Sequence, residues 1–361
     1  MEQDAIREHI QLWLSRRVGN SGVKELFDSS VAIGSDIGSV RNENQDRAIF
    51  VQVQMSVSKS FVIGVVCDGM GGMVAGAECA NISVASFVSS CIRNRQLPVA
   101  TRLINAVEDA NAEVYLKFEG EGGATLSAFI CDSDGAFEAI NVGDSRIYAN
   151  HGQNIRQYSK DDTLAGQYEG AAESHFGNRL LQFVGVGPEI EPHILSFPNV
   201  EDITQLVLTS DGAHYIESGT FKQIFQQKLP ALELCKRIVH ISKWCGGYDN
   251  STVMVINDLW GLLSVPDEKS IIPTGTIKVW DSFGEIQLIG ITAPTRKKLR
   301  RRIVKNNTEN DNALDKDEEV KPLTGKVKRR IFRKKTVIKN VDEKDGEDEV
   351  VLKPQLRIDF E

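Results

Sequence analysis

The chain has 361 residues, of which 41% are hydrophobic and 25% charged, and its formal net charge is −8. This composition is typical of a soluble globular protein, and no apolar run reaches the roughly 18 residues that a membrane-spanning helix needs. The length suits one large domain or two ordinary ones.

The N-terminal stretch MEQDAIREHI is acidic and lacks the apolar core of a signal peptide. Six cysteines are scattered along the chain without a CxxC pair. That spacing favours free thiols in a reducing compartment over a disulfide framework or a zinc site. We therefore expect a cytoplasmic protein with no membrane span.

Residues 5–18 form the first predicted element, a short amphipathic helix with its apolar residues at helical spacing. Further helices are predicted over residues 76–95, 97–118 and 231–245. Because strands come in runs and helices in pairs, the pattern indicates an α+β layered fold rather than an alternating parallel sheet. Five apolar, β-branched runs predict strands: FVIGVVCD, ATLSAFICD, AFEAINVGD, ITQLVLTSD and STVMVIND.

The apolar pattern weakens after residue 260. Residues 276–289 predict a small hairpin that turns around Asp281–Gly284. Residues 291–361 hold 20 basic and 14 acidic residues in blocks, against 22 and 36 in the preceding part. Such a segment buries too little apolar surface to order itself, so we expect a disordered tail. The chain thus divides into a body (1–260), a short extension (261–290) and a charged tail (291–361).

Four aspartates stand at the ends of predicted strands. Asp68, Asp144 and Asp211 follow a strand, and Asp249 comes just before STVMVI. Carboxylates that converge repel one another unless a cation lies between them, and hard divalent ions such as Mg²⁺ or Mn²⁺ prefer oxygen ligands. Glycine follows both Asp68 and Asp211, which would let a backbone carbonyl approach the ion.

The alternative is a set of ordinary turns. Asp-Gly is a common turn dipeptide, and for any one of these acids a turn is the simpler explanation. Only the set of four favours a metal centre.

The segments around these acids resemble the motifs of the type 2C metal-dependent protein phosphatases, and they look most like those of bacterial members. The resemblance runs in order over residues 30–258, and it implies a four-layer α/β/β/α sandwich of two packed antiparallel sheets flanked by paired helices. Residues 1–260 would be the phosphatase domain. The matching segments are GSVRNENQD (38–46), VCDGMGGMVAGAECA around Asp68, GGATLSAF (122–129), NVGDSRIY (141–148), LTSDG (208–212) and DNSTVMVI (249–256), with HFGNRLLQFVG (175–185) between NVGDSRIY and LTSDG.

The resemblance also implies a metal centre of two Mg²⁺ or Mn²⁺ ions. Asp68 would bridge both ions, and a third, weaker ion would draw on Asp144. The other implied contacts are Asp211 and Asp249 to the first ion, the Gly69 carbonyl to the second, and Asp46 as a further acid on the metal side.

The implied reaction is hydrolysis of protein phosphoserine or phosphothreonine by a metal-bridging hydroxide. Arg41 would bind the substrate phosphate through its planar fork of donors. Two positions depart from the family pattern. Gln45 stands where the family often has Glu, which removes a negative charge beside the second ion, and Met70 stands where some members have His.

Two rival functions remain open. A phosphatase-like interaction protein could be recruited through its charged tail, although the retained Asp68, Asp211 and Asp249 argue against an inactive copy. Nucleic-acid binding through the basic blocks is disfavoured, because only Phe332 is aromatic within them. We expect a monomer that acts on phosphoproteins and opposes a Ser/Thr kinase.

Overall fold

The computed structural model describes residues 4–70, 72–152, 154–167, 179–216, 218–227, 229–263 and 273–289. The predicted tail and the first part of HFGNRLLQFVG lie outside these residues. Of the helices that are described, none is both long and apolar enough to cross a membrane.

Thirteen strands within the described residues form two antiparallel sheets. The first sheet has the order β1-β2-β11-β10-β7-β8, and the second has the order β13-β12-β3-β4-β5-β6-β9. The strands are β1 (Ser21–Leu26), β2 (Val31–Asp36), β3 (Arg47–Gln54), β4 (Ser60–Cys67), β5 (Leu126–Asp132), β6 (Phe137–Val142), β7 (Arg146–His151), β8 (Asn154–Gln157), β9 (His193–Leu195), β10 (Gln205–Thr209), β11 (Ser251–Asn257), β12 (Thr276–Trp280) and β13 (Glu285–Ile289).

The helices cover the outer faces of the two sheets. One core cluster joins α1, α2 and α3 to the second sheet, and another joins α6 and α7 to the first. A third cluster lies between the sheets. The helices are α1 (Ala5–Leu14), α2 (Gly76–Arg93), α3 (Val99–Phe118), α4 (Leu164–Gln167), α5 (Asp211–His214), α6 (Ser218–Gln226) and α7 (Ala231–Trp244).

This arrangement confirms the predicted α+β four-layer sandwich. It also explains why β4 and β5 are apolar along their length, since both of their faces are covered. The first helix is shorter than predicted: the Asp4 side chain accepts from the amide of Arg7, and the helix ends at Leu14 rather than at residue 18.

The predicted hairpin is confirmed as β12 and β13, with the Asp281 amide donating to the Gly284 carbonyl at 3.1 Å. Strand β12 pairs with β3, and Trp280 is only 8% exposed. Its ring centroid lies 5.3 Å from that of Phe27 and 6.3 Å from that of Phe50. The hairpin therefore forms the edge of the second sheet. The division of the chain at residue 260 stays a prediction.

The hairpin packing can be tested with two tryptophans. Trp280→Ala should lower the free energy of unfolding by about 3–5 kcal/mol, because it removes a large buried ring. Trp244→Ala is the matched control, since Trp244 is 72% exposed and its loss should change stability by less than about 0.5 kcal/mol. Urea denaturation measures both variants, and equal effects would contradict the packing of the hairpin against the core.

Candidate metal centre

Asp68 is placed by the end of β4. Its amide donates to the Thr125 hydroxyl at 3.0 Å, and the Thr125 amide donates to the Asp68 carbonyl at 2.8 Å. Thr125 directly precedes β5, so the neighbouring strand fixes the Asp68 backbone on both sides. The half-buried Asp68 lines a cleft at this end of the sheets.

The glycines after Asp68 and Asp211 are required by close backbone packing. A Cβ on Gly69 would lie 2.3 Å from the Gly76 carbonyl oxygen, and one on Gly212 would lie 2.0 Å from the Asn250 carbonyl oxygen. Neither glycine has a positive φ. The two Asp-Gly pairs therefore do not mark turns with left-handed backbone, but places where another segment approaches within contact distance.

Three further acids reach the same cleft from other strand ends. Asp144 follows β6 through Gly143, whose φ is +92° and whose amide donates to Asp162. Asp211 begins α5 just after β10, and Asp249 precedes β11. The cleft has a volume of about 200 Å³, and its walls include Arg41, Asp68, Gly69, Met70, Asp144, Asp211 and Asp249.

Arg41 pairs with one of these acids. Its Nη2 donates to Asp249 Oδ2 at 2.7 Å, and its side chain is 38% exposed. That hydrogen bond is the main cause that raises the pKa of Arg41, and the charges of Asp249, Asp211 and Asp68 add to it. The guanidinium thus offsets part of the negative charge of the cleft.

Asp46 lies just before β3 and is 3% exposed. Its Oδ2 accepts from the Ser210 hydroxyl at 2.8 Å, whereas Oδ1 is buried without a hydrogen-bond partner among the described residues. Burial raises the pKa of Asp46 to about 7, against the lowering effect of hydrogen bonds from Ser210 and Thr252. A buried carboxylate oxygen without a donor is costly, and a nearby cation would satisfy it.

Asp68 and Asp144 show the same electrostatic conflict. Burial raises the pKa of Asp68 well above its usual range, and the charges of Asp46 and Asp211 raise it further. Burial and the charge of Asp211 raise the pKa of Asp144 to about 7. An oxygen-rich set of mutually repelling carboxylates fits a hard divalent cation.

The carboxylates do not form a closed cage. Within the described ranges, no group of three or more His, Cys, Asp or Glu side chains is arranged to grip one ion. Mg²⁺ usually keeps several waters and takes only one or two carboxylates directly, so an open cleft suits a hydrated ion. We conclude that the residues present fit such ions.

Sequence reasoning missed Asn250, which holds the loop that carries Asp46. Its Oδ1 accepts from the Gln45 amide at 2.8 Å, and its Nδ2 donates to the carbonyls of Ile37 and Glu43. The feature of the sequence that could have indicated this role is an asparagine directly after Asp249. The Gln45 side chain itself lies against Gly76, where an added Cβ would be 3.1 Å from its Cδ, and not on the wall of the cleft.

Comparison with known proteins identifies the family. The family model described as protein phosphatase 2C matches residues 39–244. The chain belongs to this family. The match spans the segments that carry Arg41, Asp68, Asp144 and Asp211, and it ends five residues before Asp249.

Individual relatives agree with the match. The serine/threonine phosphatase Stp of Listeria innocua is 28% identical over 240 residues, which cover 62% of this chain and 93% of the relative. The structure of Stp1 from Staphylococcus aureus has a TM-score of 0.54 at 20% identity and covers 67% of this chain and 98% of that one. The catalytic domain of PstP, in complex with two manganese ions, has a TM-score of 0.50 at 22% identity, with 66% and 98% covered. At these identities the structures show the fold alone, and this phosphatase shares it.

The raised pKa values predict how metal affinity depends on pH. Asp46 and Asp144 each have a pKa raised from 3.8 to about 7, so they would have to lose their protons in order to act as metal ligands. The affinity of this phosphatase for Mn²⁺ should therefore rise by about tenfold or more from about pH 6 to pH 8. Electron paramagnetic resonance of free Mn²⁺ measures the affinity directly.

The same shifts affect the stability of protein stripped of metal. Because the folded state holds protons that the unfolded state has released, stability should fall as pH rises from about 4 through 7. Saturating Mn²⁺ should offset this loss in thermal unfolding experiments. A metal affinity that stays constant with pH would contradict the placement of Asp46 and Asp144 in the centre.

Proposed function

We propose that this phosphatase hydrolyses protein phosphoserine and phosphothreonine in the acid cleft. One observation carries the assignment of the site: the ends of four strands bring four carboxylates and one arginine to a single cleft. The relatives named as serine/threonine phosphatases support the substrate class, and dependence on divalent metal is a property of the family.

The proposed centre holds two ions, Mg²⁺ or Mn²⁺, and the PstP catalytic domain in complex with two manganese ions supports this number. When bound, such ions supply a water of lowered pKa as the nucleophile and offset charge on the phosphate. Asp68 would contact both ions, and Asp144 would help to hold a third, weaker one. The remaining contacts would come from Asp211, Asp249, Asp46 and the Gly69 carbonyl.

Arg41 is the proposed phosphate-binding residue. A guanidinium matches two phosphate oxygens at once, and it keeps its charge at any pH at which the enzyme works. Its present partner is Asp249. Because Asp249 would become a metal ligand, its charge would then be offset by the ion, and the guanidinium would be released to the substrate.

The setting of the reaction is also part of the proposal. All six cysteines are free thiols, which supports a reducing compartment such as the cytoplasm. A phosphatase of this specificity reverses the product of a Ser/Thr kinase, so we propose such a kinase as its functional counterpart. The enzyme is proposed to act as a monomer.

The first test concerns the acids. Asp68→Asn should lower kcat by about two orders of magnitude or more, because stabilisation of several kcal/mol depends on the ions it would bridge. Asp211→Asn and Asp249→Asn should mainly raise the Mn²⁺ concentration required for half activity. Turnover of a phosphothreonine peptide over a Mn²⁺ titration separates the two effects.

Asp134→Asn is the control for charge removal, since this aspartate is exposed on the β5–β6 turn and its loss should leave the titration unchanged. A near-normal kcat for Asp68→Asn at saturating Mn²⁺ would rule out the bridging role. Activity that survives complete removal of metal would rule out the mechanism.

The second test concerns Arg41. Loss of a charge-assisted, bidentate contact costs about 1.5–3 kcal/mol, so Arg41→Ala should lower kcat/KM by about ten- to a hundredfold. Affinity for Mn²⁺ should not weaken, because the substitution also frees Asp249. Arg156→Ala is the control, as Arg156 lies on β8 at the far edge of the first sheet. An unchanged kcat/KM for Arg41→Ala would mean that Arg41 does not meet the phosphate.

The third test concerns the departure at Gln45. Gln45→Glu restores a negative charge next to Asp46 and should lower the Mn²⁺ concentration for half activity several-fold, by roughly 1 kcal/mol of added attraction at short range. Gln287→Glu adds the same charge on the exposed face of β13 and should have no effect. Equal titrations for Gln45→Glu and wild type would separate Gln45 from the metal centre.

A further inference from the structure

A second cleft, of about 510 Å³, lies on the other side of the loop of residues 41–47. Its walls are that loop, the segment from Leu14 to Asn20 after α1, and the hairpin turn at Asp281–Phe283. Arg41 lines the acid cleft, whereas Asn42, Glu43, Asn44, Asp46 and Arg47 line the second cleft. The loop is thus a wall shared by two clefts, and both α1 and the hairpin lie outside the residues that the family model matches.

Two acids on the wall of this cleft, Asp281 and Asp46, already have partners. Arg16 Nη2 donates to both oxygens of Asp281, at 2.8 and 2.6 Å. Asp46 directs Oδ2 to Ser210. Glu43 is the acid that stays exposed on the wall.

Two guanidinium groups keep free donors on the cleft wall. Arg17 is exposed at the rim and makes no hydrogen bond or ion pair within the part of the chain that the structure describes. Arg47 uses Nε to bind Asn81 and Nη1 to bind the carbonyls of Asn44 and Asp46, while its Nη2 bonds to no described residue. The free hydrogen-bond donors of the wall therefore come from two cations, and Glu43 is the exposed acid that opposes them.

Arg47 also connects the second cleft to the metal centre. The two carbonyls that it holds, at 2.8 and 2.7 Å, flank Gln45, and the Gln45 carbonyl in turn accepts from the amide of Gly69. Asn81 of α2 donates to the Ser15 hydroxyl at the end of α1. The half-buried guanidinium of Arg47 thus joins α2 to the loop that presents Asp46 and, through Asn81, reaches the end of α1.

We propose that the second cleft is an effector site for a small molecule with a phosphate group, which binds between Arg17 and Arg47. Guanidinium donors match the oxygens of a tetrahedral dianion, and the fork of Arg47 can bind the anion through Nη2 while Nη1 keeps the loop. The bound anion then holds Arg47 on the loop and favours the arrangement that binds metal. The coupling, but not the anion binding itself, rests on the proposed metal centre.

The binding test uses protein stripped of metal, so that the four carboxylates of the acid cleft repel anions. Isothermal calorimetry with inorganic phosphate should show saturable binding, weakened about tenfold or more by Arg17→Ala and further by Arg47→Gln, since each removes a charge-assisted contact. Arg156→Ala and Arg41→Ala should leave it unchanged. Glycerol phosphate should bind more tightly than inorganic phosphate if the ligand is an ester that fills the cleft, and equally if it is the free ion.

Two results would overturn the proposal. One is the absence of saturable phosphate binding, and the other is binding that Arg41→Ala abolishes and Arg17→Ala leaves intact, which would place the anion in the acid cleft. Because Arg17 makes no hydrogen bond or ion pair with described residues, its variant stays informative even if Arg47→Gln does not fold.

Coupling is tested by Mn²⁺ paramagnetic resonance with sulfate as the anion, which does not precipitate the metal. Mn²⁺ affinity should rise severalfold with sulfate in the wild type and not in Arg17→Ala, and by linkage Mn²⁺ should raise sulfate affinity by the same factor. If sulfate binds as expected but Mn²⁺ affinity does not change, the effector role is wrong while the proposed function stands. Loss of phosphatase activity in Asp68→Asn is judged independently of either result.

Discussion

The mutual repulsion of carboxylates at the meeting point of two sheets is the constraint on which the site depends. Asp68 and Asp144 follow strands of the second sheet, whereas Asp211 and Asp249 flank strands of the first. Their separation is therefore set by how the sheets pack, through the apolar cluster between them. Burial and neighbouring charge raise the pKa of Asp68 and Asp144. The packing of the core must therefore hold the acids together against their mutual repulsion. Such local strain is tolerated where the surrounding structure is rigid, and a bound cation removes it.

Close backbone contacts fix the position of Arg41 relative to Asp249. A Cβ on Gly38 would lie 2.4 Å from the Asp249 carbonyl oxygen, and the Ser39 amide donates to the Gly247 carbonyl at 2.7 Å. The segment that carries Arg41 is thereby packed directly on the segment that carries Asp249. Their ion pair is a consequence of this packing, and the same contact would keep the guanidinium beside the metal ligands once a phosphate replaced the carboxylate.

The sequence was sufficient for the layered fold, the longer helices and the four acids at strand ends, because long periodic segments and local motifs encode them. Strands β8 and β9 have four and three residues, too few for a period to be recognised. The roles of Asn250 and Ser210 depend on partners more than 160 residues away in the chain, and no local pattern encodes such a contact. The sequence likewise predicted the hairpin but not that Trp280 would close the core beside Phe27 and Phe50.

The loop of residues 41–47 connects the acid cleft to the second cleft. Arg41 lines the acid cleft, whereas Asp46, which is almost fully buried, and Arg47 line the second cleft. Asn250 holds the loop to β11, whereas Arg47 holds it to α2 and, through Asn81, to α1. A shift of the loop would therefore move Arg41, the proposed phosphate-binding residue, together with Asp46, a proposed metal-side acid. The segment after α1 and the hairpin turn line the second cleft opposite that loop, and both lie beyond the family match. Through the proposed effector site, these parts of the chain would act on the centre by way of the loop.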